Sequence, residues 1–151
     1  MIQIREMVLE DFDNIDFIKP IYQLKFVSRE LSISQLKNIF ENKRLMTDTY
    51  ILVDTDKNIL IGHVCVSIHH SFNNGIIGIV YDTAVHPDYR GQGHGLALMI
   101  YARDKCGEKR HLTSFAGPVD SSIAPFYEKV GGTMESTLFS YKYPKKSCKL
   151  M

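Results

Sequence analysis

The chain has 151 residues, 18 Lys and Arg against 17 Asp and Glu, a formal net charge of +1, and is 44% hydrophobic and 23% charged. This is the balance of one globular domain spanning 1–151, long enough to bury a core without staples. It excludes a general polyanion binder, and no basic stripe marks a nucleic-acid surface. Cys65, Cys106 and Cys148 are odd in number and widely spaced, which argues against both a disulfide framework and a metal site. The first residues are too polar for a signal peptide, and no apolar run approaches the roughly 20 residues that span a bilayer, so a reducing, cytoplasmic setting is expected.

In chain order, Ile2 to Met7 alternates like a short edge strand. Leu9, Phe12, Ile15 and Phe17 then recur at near-helical spacing, with Asp11 and Asp13 placed for a helix start and Pro20 set to kink or end it. Ser32 or Ser34 caps a second helix whose apolar face is Leu36, Ile39 and Phe40. Strands follow at Tyr50 to Asp54, Ile59 to His69 and Ile76 to Val85, separated by the turns Asp56-Lys57-Asn58 and Phe72-Asn73-Asn74-Gly75. Gly95 to Lys105 is a buried helix, His111 to Phe115 a strand, Ile123 to Lys129 a short helix, and Thr137 to Tyr143 a last strand. The order predicts a mixed α/β sheet rather than a doubly wound one.

The richest segment runs from Asp82 to Gly95, where a strand ends, three alternating glycines follow, and a helix begins. Glycine lets the backbone approach a ligand closely, and amides at a helix start favour an anion. Arg90, Gly91, Gln92, Gly93, His94 and Gly95 therefore form a candidate pyrophosphate cradle, with Arg90 as a charged donor. On residues alone, three glycines also suit a bare tight turn. Without Gly-Lys-Ser/Thr this is no P-loop, and without a clean βαβ unit and a later acidic residue a dinucleotide fold fits poorly.

The string Arg90-x-x-Gly93-x-Gly95 after Thr83-Ala84-Val85 resembles the acetyl-CoA signature of the GCN5-related N-acetyltransferase (GNAT) superfamily. The element order resembles that family's along nearly the whole chain. The resemblance implies a mostly antiparallel central sheet with helices on both faces and a strand that splays at the cofactor site. It also implies acetyl-CoA as co-substrate, no metal, and backbone pairing of pantetheine with Thr83, Ala84 and Val85. Pro125-Phe126-Tyr127-Glu128-Lys129-Val130-Gly131 resembles the family's late Phe-Tyr-Glu-Lys-x-Gly stretch. That implies Tyr127 as general acid to the departing thiolate, with Glu128 and Lys129 beside the cofactor. A structural Tyr is the alternative for Tyr127.

Within the superfamily the chain is most similar to the glucosamine-6-phosphate N-acetyltransferases. The likeness rests on Ile21-Tyr22-Gln23-Leu24-Lys25, Tyr50-Ile51-Leu52-Val53, Asp82-x-Ala84-Val85 and Phe126-Tyr127-Glu128-Lys129. It implies acetylation of the 2-amino group of glucosamine 6-phosphate, on the way to UDP-N-acetylglucosamine, by direct transfer in a ternary complex. Asp82 would orient the acceptor, with Tyr81 next to it in place of the usual Glu. Lys25, the hairpin His69, His70, Ser71 and Phe72, and Lys142 would meet the sugar phosphate. Lys142 sits where that family has a phosphate-contacting Arg from the partner subunit, so a homodimer with shared active sites is implied. In two places the chain departs from the family. Phe115-Ala116-Gly117-Pro118 replaces a carboxylate-bearing strand end and reads as a longer loop, with Asp120 as a partial substitute, and Ile123 replaces an Asn. The alternatives are another member of the fold acting on a small amine or a protein N-terminus, and a non-catalytic acyl-CoA sensor.

Overall fold

The computed structural model describes residues 1–22, 31–118, 124–135 and 138–144. Lys25, Asp120, Ile123, Cys148 and the lysines of the tail lie outside the described residues. Strand β1 is Ile2–Glu6, and a single 3₁₀ turn, Leu9–Asp13, follows it. The expected first helix is therefore broken. Asn14 is extended, at φ −112 and ψ 101. Its Oδ1 accepts from the amides of Asp16 at 3.1 Å and Phe17 at 3.3 Å, restarting the chain as α1, Ile15–Tyr22. Pro20 lies inside α1, which runs two residues past it. Of the two serines, Ser32 caps α2, Ile33–Lys43. Its Oγ accepts from the Gln35 amide at 3.1 Å, and its own amide donates to Gln35 Oε1 at 2.8 Å.

Three long strands form the middle of the sheet: β2 (Thr47–Asp54), β3 (Ile59–Ser71) and β4 (Gly75–Val85). Helix α3 (His94–Arg110) then leads to β5 (Ser114–Pro118), α4 (Ala124–Lys129), β6 (Thr133–Glu135) and β7 (Leu138–Lys142). The strand expected over His111 to Phe115 starts at Ser114 instead and runs on through Ala116-Gly117-Pro118, and the three-residue β6 was not expected. The sheet order is β1-β2-β3-β4-β5-β7-β6. Every pairing is antiparallel except β4 with β5, which is the one that needs a crossover and has α3 as its connection.

The sheet is covered on both faces. All eight residues of β2 are buried, and they alternate sides. Ile51 and Val53 pack with Phe17, Ile18, Ile21 and Phe40 under α1 and α2, while Tyr50 and Leu52 pack with Leu98, Met99, Ala102 and Cys106 under α3. The far end of α3 is pinned by Asp48, 1% exposed, which receives Arg110 Nη2 at 2.8 Å, Arg110 Nε at 3.0 Å and Lys109 Nζ at 3.0 Å. Burial works against the Asp48 carboxylate, but these two cations hold its pKa below the ordinary value.

Two irregularities in β4 shape the site. Pairing with β5 runs only from Ile77 opposite Ser114 to Ile79 opposite Ala116; beyond it β5 turns to β7 alone, and the two parallel strands splay. On the other edge, His63 faces Ala84 and Cys65 faces Tyr81, so β4 spends one residue more than β3. That bulge holds Asp82 at φ +49, a left-handed conformation Asp tolerates better than most side chains.

Candidate functional site

The splay opens towards the start of α3. Gly93 caps that helix at φ +82 and ψ 2, and Gly91 stands at φ +74. A Cβ built on either glycine meets nothing within 4 Å, so the loop leaves a cradle above the helix N-terminus. A glycine cap has no side chain to satisfy the first amides of the helix, and those amides carry the positive end of its dipole. Arg90 Nε donates to Val85 O at 2.9 Å, tying the loop to the strand end, and Gln92 Nε2 reaches Asp88 O at 3.5 Å. A cleft of about 370 Å³ lies here, walled by Val85, Arg90, Gly93, His94, Phe126 and Lys129. Cations on two sides and helix amides beneath are the features that an anion would call for. The residues fit the pyrophosphate of a coenzyme A thioester: open glycine positions give it room, and the amide donors suit it. Tyr89 Oη donates to Asp54 Oδ2 at 2.6 Å, fixing the loop to the end of β2 and raising Tyr89 to about 12.

Past the bulge, the sheet face shared with α1 and α2 becomes polar. Lys43, the last residue of α2, sends Nζ to within 3.3 Å of Cys65 Sγ and 5.4 Å of the Tyr81 ring centroid. Tyr81 Oη donates to Thr47 Oγ1 at 3.3 Å, and Thr49 Oγ1 lies 3.5 Å from Cys65 Sγ. Burial pushes the Cys65 thiol above its ordinary pKa, so it stays neutral. Burial, together with the Lys43 charge, pushes His63 down to about 4, against the pull of Asp82. The Asp82 carboxylate is felt by Lys43, His63 and Cys65. The register shift beside it breaks the simple alternation that would set Asp82 opposite Tyr81. The arrangement sets a carboxylate, an ammonium and a neutral imidazole at the mouth of a splayed strand pair.

An acetyltransferase (GNAT) domain family matches residues 47–131, more than half of the chain. The chain belongs to the GNAT acetyltransferase family. Across 108 residues, 67% of this chain and 70% of the relative, this GNAT domain is 32% identical to a glucosamine 6-phosphate N-acetyltransferase of Trypanosoma brucei brucei. Its fold is similar to that of the glucosamine-6-phosphate N-acetyltransferase of Arabidopsis thaliana, with a TM-score of 0.77 at 20% identity over 97% of this chain and 99% of that one. It is also similar to a predicted acetyltransferase of Clostridium acetobutylicum solved with acetyl-CoA, with a TM-score of 0.67 at 16% identity over 90% and 92%. The mixed sheet with helices on both faces and a splayed strand is the fold of these acetyltransferases.

The GNAT domain thus brings Tyr81 to Val85 and Arg90 to Gly95 together at one end of β4. Lys129 joins them from α4, Glu128 is exposed beside it, and Tyr127 is the fourth residue of that helix. The other predicted residues are not brought there within one chain. His69 pairs with Ile77, Ser71 with Gly75, and Lys142 with Ser114 across from Ile77, all at the opposite end of β4; Phe72 is fully exposed at the hairpin tip. Sequence reasoning missed Lys43, His63 and Cys65. The period of two along β3 already puts His63, Cys65 and Ser67 on one face, a polar interruption in an apolar strand. Lys43 leaves no such trace, since only the docking of α2 carries it there.

Proposed function

We propose that this GNAT domain transfers an acetyl group from acetyl-CoA to the 2-amino group of glucosamine 6-phosphate. The observation that carries the choice of acceptor is the 32% identity to an enzyme of that name over two thirds of the chain. The amides at the start of α3, with Arg90 and Lys129, hold the pyrophosphate, and the β5-side edge of Thr83, Ala84 and Val85, which no described strand pairs, receives pantetheine as an added strand. Bound there, acetyl-CoA supplies an activated acyl group on a good leaving thiolate.

The protein's own residues do the rest. Asp82, turned to the acceptor face by the bulge, accepts a hydrogen bond from the amine or a neighbouring hydroxyl and aims the amine at the thioester carbonyl. His63, neutral at physiological pH, adds no competing positive charge beside the attacking nitrogen. Tyr127 protonates the departing thiolate, and the proton that the acylated nitrogen sheds passes through water to restore the Tyr127 hydroxyl. Cys65 is a buried neutral thiol held by Lys43 and Thr49, and burial likewise raises Cys106, to about 12, so neither is poised as an acyl carrier and transfer is direct. Lys142, His69 and His70 reach the sugar phosphate from a second copy in a homodimer. The test is thiol release from acetyl-CoA with glucosamine 6-phosphate, glucosamine, a polyamine and a peptide N-terminus as acceptors. Glucosamine 6-phosphate should be preferred by at least tenfold in kcat/KM over every other acceptor. A preference for the polyamine or the peptide would move the protein to a different branch of the family.

A further inference from the structure

Lys43 is a half-buried ammonium whose surroundings do not neutralise it. Its hydrogen-bond acceptor is the neutral thiol of Cys65 at 3.3 Å, and its other close neighbour is the face of the Tyr81 ring at 5.4 Å. Among the described residues no carboxylate oxygen lies within 4.0 Å of it, although Lys37 one helical turn and a half earlier is paired at 2.9 Å with Asp13. Burial opposes its charge, while the hydrogen bond to Cys65 and the Asp82 carboxylate favour it, and its pKa lies above the ordinary lysine value, so it stays cationic. Taking a charge partly out of water without a counter-ion is costly, and sulfur and a ring face return only part of that cost. A cation held in this way is a preorganised receptor for an anion.

Its position says which anion. Lys43 stands beside Tyr81, one residue from the Asp82 carboxylate, on the face that the bulge turns towards the acceptor. Asp82 lies within electrostatic reach of Lys43, so a small molecule that carries both an amine and an anion has a partner of the right charge for each. Lys142 lies at the other end of β4, whereas Lys43 of the same chain is within electrostatic reach of Asp82. We propose that Lys43 is the specificity-determining contact that receives the acceptor's anionic substituent, the phosphate group in the reaction proposed above. The inference rests on that reading for the identity of the anion, though not for the existence of the receptor.

The test compares wild type, Lys43→Met and Lys43→Arg. Methionine keeps the length and apolar stem without the charge, and arginine restores it. With acetyl-CoA saturating, the ratio of kcat/KM for glucosamine 6-phosphate over glucosamine should fall about ten- to a hundredfold in Lys43→Met, chiefly through KM, and return most of the way in Lys43→Arg. Unchanged coenzyme A affinity and thermal midpoint would show that the variants are folded. An equal loss on both sugars, or a ratio that stays put, overturns the proposal and leaves Lys43 as a structural cation. If wild type shows no preference for the phosphorylated sugar, the proposed acceptor is wrong, and Lys43 is then read through inorganic phosphate as a competitive inhibitor against whichever acceptor turns over. A tenfold weaker phosphate inhibition constant in Lys43→Met upholds the anion receptor, and an unchanged constant refutes it.

Discussion

Replacing Gly93 by alanine separates the two jobs that this residue does. Gly93 caps α3 at φ +82, where an L-residue costs about 1–2 kcal/mol. The added methyl itself meets nothing within 4 Å, so there is no steric cost to the fold. A domain of this size loses about 2–4 °C of Tm per kcal/mol, so the variant should melt about 2–8 °C lower and still be folded at 25 °C. The ligand should feel far more. The methyl projects into the cradle above the first amides of α3, where a diphosphate must come within hydrogen-bond range. Losing one charge-assisted hydrogen bond costs about 1.5–3 kcal/mol, so coenzyme A affinity by calorimetry should fall about ten- to a hundredfold or more. S-acetylpantetheine, which lacks the diphosphate, provides the internal control: its use as a donor should be nearly the same in wild type and Gly93→Ala. Unchanged coenzyme A affinity in the folded variant would refute the placement. An equal loss with both donors would mean that the substitution acts through the fold rather than the cradle.

Tyr127→Phe should lower kcat and kcat/KM together, about tenfold or more, while coenzyme A affinity holds; wild-type turnover would make Tyr127 a packing residue. Arg110→Met takes two of the three cationic hydrogen bonds from the Asp48 carboxylate, leaving Lys109 alone, and should cost about 3 kcal/mol by urea denaturation, with part regained in the Asp48→Asn, Arg110→Met double variant; a loss below about 1 kcal/mol would contradict the buried pair. The acid limb of stability should have two steps. His63 is held down to about 4 when folded and returns to the ordinary value of about 6.5 when unfolded. The unfolded chain therefore takes the proton first, and stability falls as pH drops from about 6.5 to 4, by ~3 kcal/mol. Asp48 has its folded pKa lowered, so its contribution is present above the unfolded carboxylate value near 3.9 and is lost only below it. His63→Gln should flatten the first step and leave the second, and an unaltered profile would show that His63 is not the group concerned.

The sheet was legible in the sequence because its strands are long, β-branched and bounded by Asp-Lys-Asn and Asn-Asn-Gly turns, and the glycine loop was legible as a strand-to-helix junction because Gly91 and Gly93 take positive φ there. The failures have local causes. Leu9 to Phe17 keeps a helical spacing across a break, since Asn14 can cap a new helix by bonding two amides of its own first turn. Gly117-Pro118 looks like a loop because Gly and Pro are poor strand residues; there the strand has left β4 and pairs with β7, and a missing donor at Pro118 disrupts little. The bulge at Asp82 could not be read at all. One extra residue in β4 is visible only against the register of β3, yet it decides which face the carboxylate joins. Lys43 escaped for the same reason, because its neighbours Cys65 and Tyr81 are 22 and 38 positions away along the chain and meet it only in the fold.

The register also determines what Lys142 is able to do. It pairs with Ser114, which faces Ile77, and Asp82 lies five residues further along β4. At about 3.3 Å per residue that is ~17 Å along the strand, with two strand spacings of about 4.8 Å across, beyond the reach of a lysine side chain. Any contact of Lys142 with an acceptor at Asp82 must therefore come from a second copy, and that requirement is testable by complementation. Asp82→Asn and Lys142→Ala should each be strongly impaired on glucosamine 6-phosphate. When the two are unfolded, mixed and refolded together, half of the dimers pair one with the other. In such a dimer one active site collects both lesions, while its twin has the intact Asp82 of one chain and the intact Lys142 of the other. The mixture should then recover about a quarter of wild-type activity, from two nearly inactive parents. Activity no higher than the mean of the parents would show that Lys142 completes no site in trans, and the same-chain contact is already excluded by its distance. Lys142 would then be an ordinary surface residue, and the anion of the acceptor would rest on Lys43.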